Sequence, residues 1–337
     1  MIEYMTLAQV PPMGPSAVTI GKFEGLHRGH QKLFDAIRRK KEEGLTSVVV
    51  TIDVPGGKRL CTEDERRQLL SETGIDVLIH CPLDPAFMSL RAARFAEEIL
   101  AQTLGTRYLA VGTDFRFGYK REGSAQMLFE LGQSLGFATD IIEKECYLGE
   151  EISSTRVRAA VADGDMELAR ALLGRAYSVS GSVRHGAGIG RKISAPTVNI
   201  LPAEEKLLPP DGVYVTQTTL HSHAQKDHAA KAAQPDVRSA DAGLTSDCSE
   251  ENRSEATPAE KLPGVTDIGV RPTVGGGERR VETHLLAFDR DLYGEALTTE
   301  LLYRLRGEVR FDSLEALEEQ IRTDAAQAAV YLDRLTD

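Results

Sequence analysis

The residues best placed to do chemistry in this 337-residue chain are two histidines three apart, in Gly21-Lys-Phe-Glu-Gly-Leu-His27-Arg-Gly-His30. An apolar run, Ala17 to Ile20, precedes them, and Leu33, Phe34 and Ile37 follow at helical spacing. The pattern predicts a strand, a turn, and both imidazoles on one face of a helix's first turn. Unpaired backbone N–H groups and the helix dipole favour an anion there. Imidazoles add hydrogen-bond donors and can take up charge near neutral pH, so a phosphate group is the expected ligand. Gly29 removes a side chain where a base or phosphate must approach the backbone.

Two later segments extend this constellation. Val111-Gly112-Thr-Asp114-Phe115-Arg-Phe117-Gly118 is an aromatic-flanked loop suited to a planar ring. Ile152-Ser153-Ser154-Thr155-Arg156-Val-Arg158 groups hydroxyls with two guanidinium groups ahead of a helix. Such a cluster can hold polyphosphate by charge-assisted, often bidentate hydrogen bonds.

A second constellation begins at His185-Gly186-Ala-Gly188-Ile-Gly190-Arg191 and leads to Ala195-Pro-Thr197-Val-Asn199. Alternate glycines let backbone amides approach phosphates, although no long helix follows, so this is neither a Rossmann nor a Walker loop. A hydroxyl and a carboxamide two apart point the same way from a strand and suit Mg²⁺, which prefers oxygen ligands. Glu282, in Val281-Glu-Thr-His284, is expected on an inward-facing strand position, where it could accept a proton from a substrate hydroxyl.

The elements that must position these groups divide the chain in two. Ala17 to Ile20, Ser47 to Ile52, Val77 to Ile79 and Tyr108 to Val111 read as buried strands. Helical periods lie between them over Gln31 to Glu43, after the capping-box pattern Thr62-x-x-Glu65, and from about Leu90 to Leu104. This alternation predicts an α/β domain, a parallel Rossmann-like sheet with helices on both faces and its ligand beyond the strands' carboxyl ends. From Ala176 the texture changes. Tyr177 to Val183, Gly212 to Thr216 and Val281 to Leu286 alternate with period two, and only Leu314 to Leu335 reads as a long amphipathic helix. A small antiparallel barrel with a terminal helix is expected, giving domains 1–175 and 176–337. Thr219 to Ala259 has almost no large apolar residues and reads as a disordered insertion between two strands. Its His221, His223 and His228 lack regularly spaced partner ligands and are expected to be solvated.

Bulk properties narrow the function classes. The net charge of -11 argues against nucleic-acid binding, which needs a basic face. No apolar run approaches the ~20 residues of a membrane-spanning helix. Met1 to Pro15 carries no signal-peptide pattern, and Cys61, Cys81, Cys146 and Cys248 are scattered without a C-x-x-C pair. A cytoplasmic protein without nucleic-acid or membrane partners is expected.

The motif His27-x-Gly-His30 resembles the nucleotidyltransferase superfamily, whose members make or break an α–β phosphoanhydride bond. With the Gly112 to Gly118 and Ser153 to Arg158 segments, the first half resembles the FMN adenylyltransferase module of bacterial bifunctional riboflavin kinase/FAD synthetases. The run through Leu172-Leu-Gly-Arg175, Pro-Thr197-Val-Asn199, Gly212-Val-Tyr214, Ile268-Gly-Val-Arg271-Pro-Thr273 and Leu292-Tyr-Gly294 resembles the riboflavin kinase module. The resemblance implies catalytic roles for His27, His30 and Glu282. It implies ATP at Gly21, Phe23, Gly29, Gly112, Asp114, Phe115, Ser154, Thr155, Arg156 and Arg158 in the first half. In the second it implies ATP at Gly186, Gly188, Gly190, Thr197 and Asn199, with Mg²⁺ on Thr197 and Asn199. Glu24 and Arg271 would face flavin. ATP, riboflavin and FMN are then substrates, and FMN and FAD products. The sequence departs from the family at Lys22, Glu24, Ser194, Ala195 and Asp267. Three readings follow: an enzyme with both activities, one with a single activity, or a flavin- or nucleotide-binding regulator without turnover.

Overall fold

The computed structural model describes residues 1–184, 197–221, 261–270, 279–286, 288, 290 and 292–336. Gly186, Gly188, Gly190, Ser194, Ala195, Arg271 and most of the expected insertion lie outside them. The chain splits into two compact units, Met1–Ala176 with Ala203–Pro209, and Tyr177–Pro202 with Pro210–Asp337.

The first unit is built on six strands: β1 (Ile2–Tyr4), β2 (Ser16–Gly21), β3 (Thr46–Asp53), β4 (Val77–Pro82), β5 (Thr106–Gly112) and β8 (Ala138–Ile142). They pair in the order β1-β4-β3-β2-β5-β8, every pair parallel. β1 and β8 escaped the sequence reading because each is a short edge strand with weak alternation. Two hairpins of two-residue strands, β6 (Arg116–Phe117) with β7 (Gly123–Ser124) and β9 (Cys146–Tyr147) with β10 (Glu150–Glu151), project from the sheet's loops. Helices α1 (Arg28–Arg39), α2 (Glu63–Glu72), α3 (Pro85–Ser89), α4 (Ala92–Arg94), α5 (Ala125–Leu135), α6 (Ser154–Asp163) and α7 (Met166–Leu173) complete the unit. Past α4 the same helix winds as a π-helix over Phe95–Thr103.

Alternate strand residues explain why helices cover both faces. Val18, Ile20, Val48, Val50 and Ile79 pack with Phe95, Leu100 and Leu128. Ala17, Val49, Leu78 and Ala110 pack instead with Leu33, Phe34, Ile37 and Leu70. Fully burying each large side chain of this kind stabilises the fold by about 1.5–3 kcal/mol. Local signals agree with the tertiary result. Thr62 and Glu65 make both capping-box bonds, and Gly44 takes the left-handed conformation, φ 80°, that ends the 3₁₀ turn after α1.

Ala203–Pro209, which the sequence pattern placed in the second half, packs as part of the first unit. Its anchor is Lys206, 3% exposed, whose Nζ donates to Glu65 Oε2 at 2.6 Å and to the Leu60 carbonyl at 2.8 Å. Nothing in the sequence pattern distinguishes this lysine from a surface one.

The second unit is a closed antiparallel barrel ordered β11-β12-β15-β14-β13-β16. Its strands are β11 (Tyr177–Arg184), β12 (Thr197–Ile200), β13 (Gly212–His221), β14 (Lys261–Val270), β15 (Arg279–Leu285) and β16 (Ala296–Arg306). Thr219, Leu220 and His221 therefore belong to β13, and the His221 ring bonds Thr298 Oγ1 at 2.8 Å. The barrel is filled by Val179, Val215, Ile268, Val281 and Leu301, together with buried threonines that satisfy one another. Thr266 Oγ1 lies 2.9 Å from Thr216 Oγ1 and 2.8 Å from Thr283 Oγ1. Mutual pairing removes the cost of burying a lone hydroxyl. Helix α8 (Leu314–Thr336) is tied to β16 by Arg306, which forks onto buried Asp324 at 2.7–3.2 Å.

Candidate active sites

In the first unit, the strand order turns outward in opposite directions from β2 and β5, and their carboxyl ends carry Gly21 and Gly112. Open parallel sheets bind ligands beyond the strand ends at such a switch point. His27 caps α1 there and His30 occupies its first turn, with ring centroids 3.6 Å apart and planes 19° apart. The Phe23 ring stands edge-on to His30 at 5.2 Å. Two glycines make this fit possible. A Cβ at Gly29 would come 3.2 Å from His27 Nδ1, and one at Gly21 would come 2.9 Å from the Phe23 ring. Both positions therefore admit neighbouring rings in this structure. Ligand approach to the backbone, the role the sequence suggested for Gly29, is a separate matter.

Burial changes the charge expected of the histidines. Desolvation, with a smaller contribution from the Arg175 guanidinium, lowers His27 to about 4. Desolvation first, and His27 second, holds His30 well below the usual imidazole range. The Nδ1 atoms of both rings are buried without hydrogen-bond partners among the described residues. The stack is thus neutral at pH 7 and can donate N–H hydrogen bonds, with charge uptake available only if an anion's field offsets the desolvation.

The Ser153 to Arg158 segment is the cap and first turn of α6, and it docks on the same turn. Ser153 Oγ accepts from the Arg156 N–H as the cap. Ser154 Oγ donates to the Glu24 carbonyl at 3.1 Å. Arg158 forks onto the Glu24 carboxylate, its Nε at 3.3 Å from Oε2 and its Nη2 bonded to Oε1. The Leu60 N–H also donates to that carboxylate, at 3.3 Å. Glu24 and Arg158, expected on flavin and phosphate respectively, are here each other's partners. Thr155 is exposed. Arg156 donates from Nη1 to the carbonyls of Tyr147 and Glu150, both at 2.9 Å, and so grips the β9–β10 hairpin. Asp114 pairs with Lys144 at 3.2 Å. Phe115 stacks on Phe117 at 5.8 Å and packs against the sheet's core.

A charged cluster near the ends of β3 and β4 had no sequence signal. His80 Nε2 bonds Glu3 Oε1 at 2.8 Å, and its Nδ1 lies 3.2 Å from Asp53 and 3.3 Å from Glu63. Asp53, Glu63 and His80 are close enough together to ligate a metal. However, the Arg66 guanidinium already bonds both carboxylates, supplying the cation the pair requires. Burial opposes ionisation of Asp53, but the His80 and Arg66 hydrogen bonds outweigh it and hold this carboxyl at about 2.

In the barrel, Asn199 faces Glu282 across β12 and β15, and Thr197 Oγ1 donates to Glu282 Oε1 at 2.7 Å. The three side chains the sequence grouped are therefore neighbours. Their direction differs from expectation. Val281, Thr283 and Leu285 are buried inward, so Glu282 faces the outside of the barrel, on the same side as exposed Asp267. A closed barrel of six strands is filled by its own side chains and leaves no interior for substrate. Asn199 is 7% exposed, and its Oδ1 is buried with no hydrogen-bond partner among the described residues. An oxygen left open beside a hydroxyl and a carboxylate fits a hard divalent cation.

Residues 11–156 match the FAD synthetase family and residues 173–332 the riboflavin kinase family. The bifunctional riboflavin kinase/FMN adenylyltransferase of Escherichia coli is 34% identical over 96% of this chain and 94% of its own length. That of Pseudomonas fluorescens is 33% identical, over 92% of this chain and 91% of its own. A crystal structure from Streptococcus pneumoniae, described as a macrolide-efflux protein, matches with a TM-score of 0.78 at 25% identity. It covers 97% of this chain and 98% of that one. The efflux description belongs to that protein. Among the described residues here, no helix is long and apolar enough to cross a membrane. With both modules in order along nearly its whole length, the chain belongs to the bifunctional riboflavin kinase/FMN adenylyltransferase family.

Proposed function

We infer that this chain phosphorylates riboflavin to FMN at the barrel and adenylylates FMN to FAD at the stacked histidines, using ATP for both. Domains 1–175 and 176–337, apart from the 203–209 anchor, carry the two reactions. The observation that carries the reading is the pairing of two neutral, stacked imidazoles at a helix start with a Thr–Asn–Glu row on a second unit.

At the first site, FMN's phosphate oxygen attacks the α-phosphorus of ATP and pyrophosphate leaves. No side chain has to act as nucleophile. His27 and His30 donate hydrogen bonds to phosphate oxygens, and the α1 amino end adds backbone N–H groups. Arg158, Ser154 and Glu24 hold the turn's shape, and Gly112, Asp114 and Phe115 are assigned to ATP. Arg156 reaches phosphate by exchanging its hairpin carbonyls and the Glu150 carboxylate, which its Nε meets at 3.1 Å, for phosphate oxygens.

At the second site, Glu282 takes the proton from the ribityl 5′-hydroxyl as that oxygen attacks the γ-phosphorus, the β–γ anhydride bond breaks and ADP leaves. The Thr197 hydrogen bond holds one oxygen of that carboxylate in place. Thr197 and Asn199 would hold the divalent cation, assigned as Mg²⁺, which neutralises phosphate charge when bound. Gly186, Gly188, Gly190 and Arg271 are assigned to phosphate and flavin. A cytoplasmic location fits the unpaired pattern of cysteines.

Incubating the full chain with riboflavin, ATP and MgCl₂ and separating the flavins tests this directly. FMN should appear first and FAD follow with pyrophosphate; failure to form either product would overturn the reading. Accumulation of FMN alone would remove the adenylyltransferase half.

A further inference from the structure

Arg175 bears on the histidine turn without touching either ring. Its Nη2 donates to the Gly25 carbonyl at 2.9 Å and its Nη1 to the Leu26 carbonyl at 3.3 Å. These carbonyls belong to the turn that ends at His27. Within that turn Phe23, Gly25 and Leu26 have φ of 43°, 72° and 44°. Two non-glycine residues in the left-handed region are costly and persist only when their surroundings hold them.

The hold comes from the end of α7. Gln31 Nε2 donates to the carbonyls of Leu26 at 3.2 Å and Leu173 at 2.9 Å, while Arg28 donates to Ala171 at 3.4 Å. Gly174, at φ 75°, lets the two helix ends meet, since a Cβ there would come 3.1 Å from Arg28 Cγ and 3.3 Å from Gln31 Oε1. Donors therefore run in both directions, from α1 to the end of α7 and from Arg175 back to the turn. A planar guanidinium fork meets two successive carbonyls with a separate N–H on each at fixed geometry, which an ammonium's compact, rotating donors do not reproduce.

We infer that Arg175 is a positioning residue for adenylyl transfer, fixing the turn that sets the angle at which His27 and His30 are presented. This rests on the adenylyltransferase reading of that turn. Its hydrogen bonds to the turn are to backbone carbonyls, so its loss should leave ATP able to bind and misalign the chemical step.

The test compares Arg175→Lys and Arg175→Ala in the full chain, with the urea unfolding transition of the first unit as the check of its folding. Both variants should lower kcat for FAD formation from FMN by about 10- to 100-fold while KM for ATP changes less than about threefold. A Lys variant whose kcat stays within about twofold of wild type overturns the inference. So does a loss confined to KM. If the Ala variant fails to fold, the Lys variant decides. An independent readout is the NMR titration of His27 in folded Arg175→Gln. Removing the neighbouring positive charge and its hold on the turn should raise His27 from about 4, and an unmoved titration overturns the contact's role. If the wild-type chain makes no FAD at all, the adenylyltransferase reading fails by itself, and this titration still decides whether Arg175 governs the turn.

Discussion

The histidine turn of the first unit and the Thr–Asn–Glu row of the second hold their polar side chains in place differently. The turn depends on two left-handed non-glycine residues, a guanidinium across two carbonyls, and rings that burial keeps neutral. The row is set by β-register: Asn199 and Glu282 are cross-strand partners, and Thr197 points the same way two residues earlier. A turn held by many partners is sensitive to distant contacts. A row fixed by a closed barrel is sensitive mainly to its own three side chains.

The largest effect is expected in the row. Glu282→Ala should lower FMN formation by about 10²- to 10⁴-fold, the range for loss of a general base, while FAD formation from supplied FMN is unchanged. Next comes His30→Ala, with FAD formation down about 10²- to 10³-fold and FMN formation retained. Loss of both activities in either folded variant would show that the two sites are not separate.

The contrast can also be read in stability. Lys206 is a buried cation serving Glu65 and the Leu60 carbonyl. Lys206→Met should destabilise the first unit by about 3–5 kcal/mol in urea, because a buried carboxylate loses its cation. The barrel's own transition should not move.

Protonation gives a smaller effect with a definite sign. His27 falls from 6.5 to about 4 on folding, so between those values the unfolded chain binds the extra proton. Stability should therefore fall as pH drops from about 6.5 to 4, by about 3 kcal/mol for this group, and be indifferent to it above 6.5. His80, raised by its Asp53 and Glu3 hydrogen bonds against its burial, has the opposite sign. The comparison of wild type with His27→Gln isolates the His27 component, and the variant should show the weaker acid dependence. Equal pH dependence would mean that His27 is not a buried neutral group. The smallest effect is expected from replacing residues 222–260 with a short turn between His221 and Lys261. Both activities should stay within about twofold, since a hairpin tolerates changes in loop length.

What was legible in the sequence follows the range of the interactions. The parallel sheet showed in β-branched runs such as Val48 to Ile52, and the barrel in period-two alternation; both are local signals. The strand–turn–helix around His27 and the Thr197–Asn199 pair were legible because each is a short motif with fixed geometry. Long-range consequences were not. That Arg158 meets Glu24 across 134 residues, that Lys206 joins the first unit, and that Glu282 faces out of the barrel all depend on packing no local window contains. The neutral state of the histidines belongs to the same class, because desolvation is a property of the assembled site.

The most direct measurement mixes two crippled proteins. Glu282→Ala and His30→Ala, each given riboflavin, ATP and Mg²⁺, should make no appreciable FAD alone. Combined, they should make it at a rate close to that of the wild-type chain at matched site concentration, because FMN released by one barrel reaches the other protein's histidine site. A mixture of folded variants that still fails to make FAD would contradict the claim of two independent phosphate-transfer sites on one chain.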